Sequence, residues 1–154
     1  MPGAEMPCAA VSGCTLSGNN AAYGGGIFSG DTLMVSGCTL SGNTATNGGG
    51  IYSAGSAATV TGCTLSGNSA TNGGGIYSDI GPLTVDSSTL TGNVASSKGG
   101  GIYGAGATTV KNHSSITENT AAVGFGADFY NQRVLYLDST SIVGTLDGNP
   151  SRPI

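Results

Sequence analysis

The chain has 154 residues, 29 of them Gly, with only 4 Lys or Arg and 8 Asp or Glu, a net charge of −4 and a hydrophobic fraction of 38%. No run reaches the 18 or more apolar residues of a membrane-spanning helix, the glycines do not recur every third residue as in collagen, and four scattered cations cannot neutralise a nucleic-acid backbone. A moderate hydrophobicity with a small net charge also excludes a disordered tract, which leaves an uncharged β protein rich in Gly, Ser and Thr.

Residues 1–10 are read as an N-terminal cap or partial coil, 11–144 as repeats and 145–154 as a C-terminal tail. The first repeat opens with Val11-Ser-Gly-Cys-Thr-Leu-Ser-Gly-Asn19, which recurs as Val35–Asn43, Val60–Asn68 and, loosened, Val85–Asn93. Val110–Asn119 is a fifth copy with one added residue, and Leu137–Gly144 a degenerate sixth; the starts lie 24, 25, 25, 25 and 27 residues apart. A second block follows each time: Gly24-Gly-Gly-Ile-Phe28, then Gly48–Tyr52, Gly73–Tyr77, Gly99–Tyr103 and the altered Gly124–Tyr130. Most added length falls between the Asn and the Gly block, so this Ala/Thr/Asn-rich stretch is expected to be a corner loop.

Within a unit the alternation has period two, as in a strand. Cys63 and Leu65 point one way, Thr64 and Ser66 the other. Val60 and Cys63 have opposite parity, so the chain must bend between them, and Gly62 permits the bend. A single coil buries too little apolar surface to offset the ordering of its own backbone, so coils must stack. The expected fold is all-β, a right-handed parallel β-helix of about five to six coils with three short strands each.

The glycine blocks, each preceded by Leu16-x-x-Asn19, Leu40-x-x-Asn43, Leu65-x-x-Asn68, Leu90-x-x-Asn93 or Ile116-x-x-Asn119, resemble the repeats of chlamydial polymorphic outer-membrane proteins and related passengers of bacterial autotransporters. That family is marked by Gly-Gly-Ala-aliphatic and Phe-x-x-Asn tetrapeptides; here Leu or Ile replaces the Phe. The resemblance implies an extracellular or cell-surface adhesin. Met1–Ala10 lacks the charged start and apolar run of a signal peptide, and the family's membrane barrel is missing; whether the chain is a segment of a longer protein is left open by the sequence.

Residues one period apart should stack into columns. Asn19, Asn43, Asn68, Asn93 and Asn119 form a structural ladder. Cys14, Cys38, Cys63 and Ser88 form an inward column; the thiols either pack as small hydrophobes or Cys8 and Cys14 form a disulfide. Thr15, Thr39, Thr64 and Thr89, continued by Ser115 and Ser141, form an outward hydroxyl rank; Ser17, Ser41, Ser66, Thr91 and Thr117, ending in Val143, form a second. Phe28, Tyr52, Tyr77, Tyr103 and Tyr130 form an outward aromatic column; its rings either stack on one another as a purely structural device or, as the best functional signal in the sequence, form a surface for a glycan or a protein. Asp86, Lys111 and Asp138 share one position and should form an acid–base–acid ladder.

Catalysis finds no support in this pattern. Glycoside hydrolysis needs two carboxyls about 5–10 Å apart, whereas Glu5, Asp31, Asp79, Glu118, Asp128 and Asp147 fall at unrelated repeat positions. His113 is the sole His and lies in an insertion. The expectation is a non-catalytic scaffold or adhesin without metal or cofactor, not inserted in a membrane and not binding nucleic acid. Its partners would be a glycan or a host or cell-surface protein, with end-to-end self-association. The alternatives are an ice-binding solenoid using the Thr/Ser ranks and a carbohydrate-active β-helix enzyme.

Overall fold

The computed structural model describes residues 8–148 and 151–153, all of them in strands, turns or irregular segments. The first coil runs through β1 (Cys8–Ser12), β2 (Thr15–Ser17), β3 (Asn20–Tyr23) and β4 (Ile27–Ser29). The next three repeat the order as β5 (Thr32–Ser36) to β8 (Ile51–Ser53), β9 (Ala58–Thr61) to β12 (Ile76–Ser78) and β13 (Leu83–Asp86) to β16 (Ile102–Gly104). The fifth holds β17 (Thr108–Lys111), β18 (Ser115–Thr117) and β19 (Phe129–Asn131), the sixth β20 (Leu135–Leu137), β21 (Ile142–Val143) and β22 (Leu146–Gly148), and β23 (Ser151–Pro153) follows. Each strand pairs in parallel with its counterpart one coil away, giving four sheets: A (β1 to β23), B (β2 to β21), C (β3 with Thr44–Asn47 as β7, Ser69–Asn72 as β11 and Val94–Lys98 as β15) and D (β4 to β22). The chain is a parallel β-helix.

Each coil has four strands where three were expected. The stretch taken for a corner loop is sheet C, with β7 (Thr44–Asn47), β11 (Ser69–Asn72) and β15 (Val94–Lys98). Its inward column is Ala21, Ala45, Ala70 and Ala95, the last three buried, and these are too small to register as a hydrophobic pattern. The length variation seen in the sequence is a disturbance of this sheet: the extra residue of the fourth coil shifts the register between β11 and β15. In the fifth coil only a Val94–Thr120 bridge survives. At the C-terminal end, β22 pairs with β19 and β23 with β20, so strands continue through the segment read as a tail.

The core is a set of stacked columns. Val35, Val60, Val85 and Val110 line sheet A, Leu40, Leu65, Leu90 and Ile116 line sheet B, and Ile51, Ile76, Ile102 and Phe129 line sheet D, all nearly inaccessible to water. The bend inferred at Gly62 is present: Gly13, Gly37 and Gly62 have φ near +60°, and Ser87, Asn112 and His113 take the same left-handed geometry in the later coils. The glycine triplets have a different cause. Gly48 has φ +66°, while a Cβ on Gly49 would lie 2.6 Å from the Ser69 carbonyl oxygen and one on Gly50 would lie 2.6 Å from that of Gly75. Successive coils approach too closely there for any side chain.

Two polar ladders line the corners inside. Asn43 donates from its backbone N (3.0 Å) and Nδ2 (2.9 Å) to Oδ1 of Asn68, and Asn68 does the same to Asn93. Asn119 ends the series on Asp128, whose Oδ1 accepts from its N and Nδ2 and whose Oδ2 accepts from the Thr145 N at 2.7 Å. At the bend between sheets A and B the Cys38 N lies 3.4 Å from the Cys63 Sγ, the Cys63 N donates to the Ser88 Oγ, and Ser88 and Ser114 carry the pattern to Ser141. This overturns two assignments. Ser141 belongs to the inner ladder, not to the outer hydroxyl rank, where Ile142 stands opposite Ser115; Val143 lies over Ile116 and faces inward. The residue inserted into the fifth-coil bend recurs in the sixth, which moves the register by one. The four cysteines are free thiols, Cys38 and Cys63 buried, Cys8 and Cys14 exposed.

Candidate functional site

The outer face of sheet D carries the aromatic column. Pairing sets Phe28 opposite Tyr52, Tyr52 opposite Tyr77, Tyr77 opposite Tyr103 and Tyr103 opposite Tyr130. The rings stack nearly parallel, with centroids 5.6, 5.0, 4.5 and 5.4 Å apart. Strand spacing alone imposes this, because parallel neighbours lie about 4.8 Å apart and a ring has little other freedom on a flat sheet. Stacking also consumes the ring faces: an interior ring offers only its edge and hydroxyl to solvent. Tyr103 is the limiting case. The sequence places it on the exposed face, but it is only 8% exposed between Tyr77 and Tyr130, and its hydroxyl accepts from Gln132 Nε2. Phe28, at the N-terminal end, stays 57% exposed.

Residues outside the column extend it. Tyr23 of β3 tilts against Tyr52 at 5.2 Å, and Phe125 approaches Tyr130 at 6.4 Å. The Lys98 Nζ sits 4.9 Å from the Tyr130 centroid and 5.4 Å from that of Phe125, in cation–π geometry. None of these three shares the repeat position of the column, so only the fold brings them to it.

The Tyr52 and Tyr103 hydroxyls reach the corner that leads from sheet D to sheet A. There Tyr52 donates to Asp79 Oδ2 at 3.3 Å. Burial holds the Tyr52 phenol above its usual range, and the Asp79 charge and hydrogen bond add to this. Tyr77 is likewise raised, first by burial and then by Tyr103 and Asp79. Gly30, Ala54, Asp79, Ala105 and Gln132 each follow the last residue of a sheet D strand, a column readable from the period once the strand ends are known. A groove of about 870 Å3 opens at this corner, lined by Asp79, Ile80, Ala105, Ala107, Gln132, Arg133 and Val134.

Thr15, Thr39, Thr64 and Thr89 are exposed and in register on sheet B. They do not stand apart, because sheet A presents Thr59, Thr84 and Thr109 outward and sheet C presents Thr44, Thr46 and Thr71. Asp86 meets Lys111 at 3.5 Å; hydrogen bonds from Asn112 and Ser87, with the Lys111 charge behind them, hold its carboxyl below the usual range. Asp138 does not join this pair. It accepts from the Asn112 N at 2.7 Å, and that bond, with others from Ser141 and Thr140, lowers its pKa to about 2.

The remaining ionisable groups do not converge. Asp31 and Asp79 lie two coils apart, Asp128 is buried in the Asn ladder, and His113 is exposed at the bend between sheets A and B. Among the described residues no three His, Cys, Asp or Glu side chains could hold a metal ion, and no helix is long and apolar enough to cross a membrane.

Over residues 2–140 the sequence matches the family described as a right-handed β-helix region. The chain belongs to that family. No curated protein and no solved structure matches it. Family and geometry together make the chain a right-handed parallel β-helix in which one outer face of four, that of sheet D, carries the aromatic column.

Proposed function

We propose that this chain is a non-catalytic scaffold, outside the cell or on its surface, that binds a glycan or a protein through the outer face of sheet D. The observation that carries this is the restriction of the stacked aromatic column to one face of four. A β-helix needs no aromatic column outside to fold, since on sheets A, B and C the outward positions are mostly Thr and Ser, with Tyr23 and Tyr136 as single rings. Amphipathic rings bordered by hydroxyls, a carboxylate and cations are the usual composition of a recognition surface. Because the interior rings are stacked on one another, the contacts available are ring edges and the Tyr52 and Tyr77 hydroxyls, with open faces only near Phe28 and Tyr23. The non-catalytic reading is supported by the state of the carboxylates: Asp79 is engaged by the Tyr52 hydroxyl and Asp128 is buried as the terminal acceptor of the Asn ladder. The Thr/Ser ranks favour an ice-binding role less, because similar hydroxyls coat three faces.

Binding to a glycan array and to cell-surface protein extracts tests the proposal, with the parent compared against the double variant Tyr52→Ala, Tyr77→Ala, whose fold is checked by circular dichroism. Loss of binding in the folded variant is the expected result. Binding unchanged by the double substitution rejects sheet D as the contact face.

A further inference from the structure

We infer that the groove at the corner between sheets D and A is a docking slot for an extended polypeptide segment that presents an aliphatic side chain flanked by one basic and one acidic residue. The inference rests on reading the chain as a binding scaffold and names the partner class and the place. The slot arises because the fourth-coil corner is Ala105-Gly-Ala107 while its neighbours carry large side chains. Asp79 and Ile80 of the third coil form one wall, Gln132, Arg133 and Val134 of the fifth the other, and Ala105 and Ala107 the floor.

The two walls are two coils apart, about 10 Å at the backbone. That width admits one extended chain and excludes an α-helix, whose diameter with side chains is about 10–12 Å. The walls carry opposite charges, a carboxylate at Asp79 and a guanidinium at Arg133, so a ligand must bring its cation to one side and its anion to the other. Between them lies an apolar strip in which Ile80 is 74% exposed. An apolar centre with a charged rim is the anatomy of a protein interface. A glycan would bring hydroxyls to both walls but nothing aliphatic to Ile80 and no cation to Asp79.

The walls are held in place before any partner arrives. The buried Asn131 donates from Nδ2 to the Arg133 carbonyl at 3.3 Å and accepts from the Arg133 N at 3.2 Å. Ser78 donates from Oγ to the Gly81 carbonyl at 3.2 Å, fixing the opposite wall. In the same column the fourth coil has Gly104, which can make no such clamp. The inward Thr108 Oγ1 beside it is the one buried side-chain polar atom without a partner among the described residues. Among the described side chains Lys111 is engaged with Asp86 and Lys98 lies over aromatic rings, and Arg133 is the cation that lines the groove.

Selection of a random linear twelve-residue peptide display library against the whole chain tests the inference. The expected binders carry an aliphatic residue between a base and an acid, and a synthetic binder loses at least tenfold in affinity for Arg133→Gln and for Asp79→Asn. Ala105→Gln should abolish binding, because it fills the floor with the residue that Gln132 already places one coil on, which keeps the fold intact. The double reversal Asp79→Lys, Arg133→Glu should select peptides of inverted charge order. Binders without the charge pattern, binders indifferent to Ala105→Gln, or no binder at all overturn the inference. So does a slot that takes acidic oligosaccharides and no peptide. Binding that survives these changes but is lost in Tyr52→Ala, Tyr77→Ala overturns the slot and leaves the sheet D reading standing, so the two fail separately.

Discussion

Removing one rung of the Asn ladder should cost far more in the middle of the stack than at its end. The Asn68 side chain makes four hydrogen bonds: Oδ1 accepts from the Asn43 N and Nδ2, and Nδ2 donates to the Leu40 carbonyl and to Asn93 Oδ1. Asn68→Ala leaves two buried donors of Asn43 without an acceptor, at about 1–3 kcal/mol each, hence about 2–6 kcal/mol. At about 2–4 °C per kcal/mol for a chain of this size, Tm should fall by roughly 4–24 °C. Asn19 is exposed and only donates, to Asn43 Oδ1 from N and Nδ2, so Asn19→Ala strands nothing and should cost about 1 kcal/mol or less. Asn68→Asp should be worse than alanine, because it keeps the acceptor for Asn43 but turns a second oxygen against the Leu40 carbonyl and Asn93 Oδ1. Thermal melts followed by far-ultraviolet circular dichroism read all three. Equal losses for Asn19→Ala and Asn68→Ala would refute the argument, since they would mean that the buried bonds contribute no more than the exposed ones.

Two further outcomes follow from the corners. Gly62→Ala meets no atom within 4 Å but must hold φ +60°, a strain of about 1–2 kcal/mol, whereas Gly50→Ala sets its Cβ 2.6 Å from the Gly75 carbonyl oxygen and should destabilise several-fold more in urea titration; the reverse order would discount coil contact as the reason for the triplets. Asp138 is held at a pKa of about 2, below the value near 3.9 of an unfolded Asp, so its contribution is present above about pH 4 and is lost as pH falls toward 2. Asp138→Asn should therefore flatten the loss of Tm between pH 4 and 2, and an unchanged acid profile would show that the Asn112 bond does not favour the carboxylate.

Much of this molecule is legible in its repeat period alone. A spacing of about 25 residues places Val35 on Val60 and Leu40 on Leu65, because stacked coils need equal lengths to keep parallel strands in register. The parity change across Gly62 located a bend, and the Asn and aromatic columns were visible as letters in the same slot. Sheet C escaped notice because alanine is its only inward residue, and the sixth coil was set one residue out of register because an insertion at a bend leaves no hydrophobic trace. Other properties depend on distance between coils and belong to the tertiary structure alone. The buried state of Tyr103 follows from rings on either side of it, the approach of Tyr23 and Lys98 from the neighbouring sheet C, where they share a column, and of Phe125 from the fifth coil, and the slot between Asp79 and Arg133 from the smallness of a corner one coil away from each. Sequence periodicity specifies which residues lie over one another, but how much of each remains open to water is decided by neighbours that only the wound chain brings together.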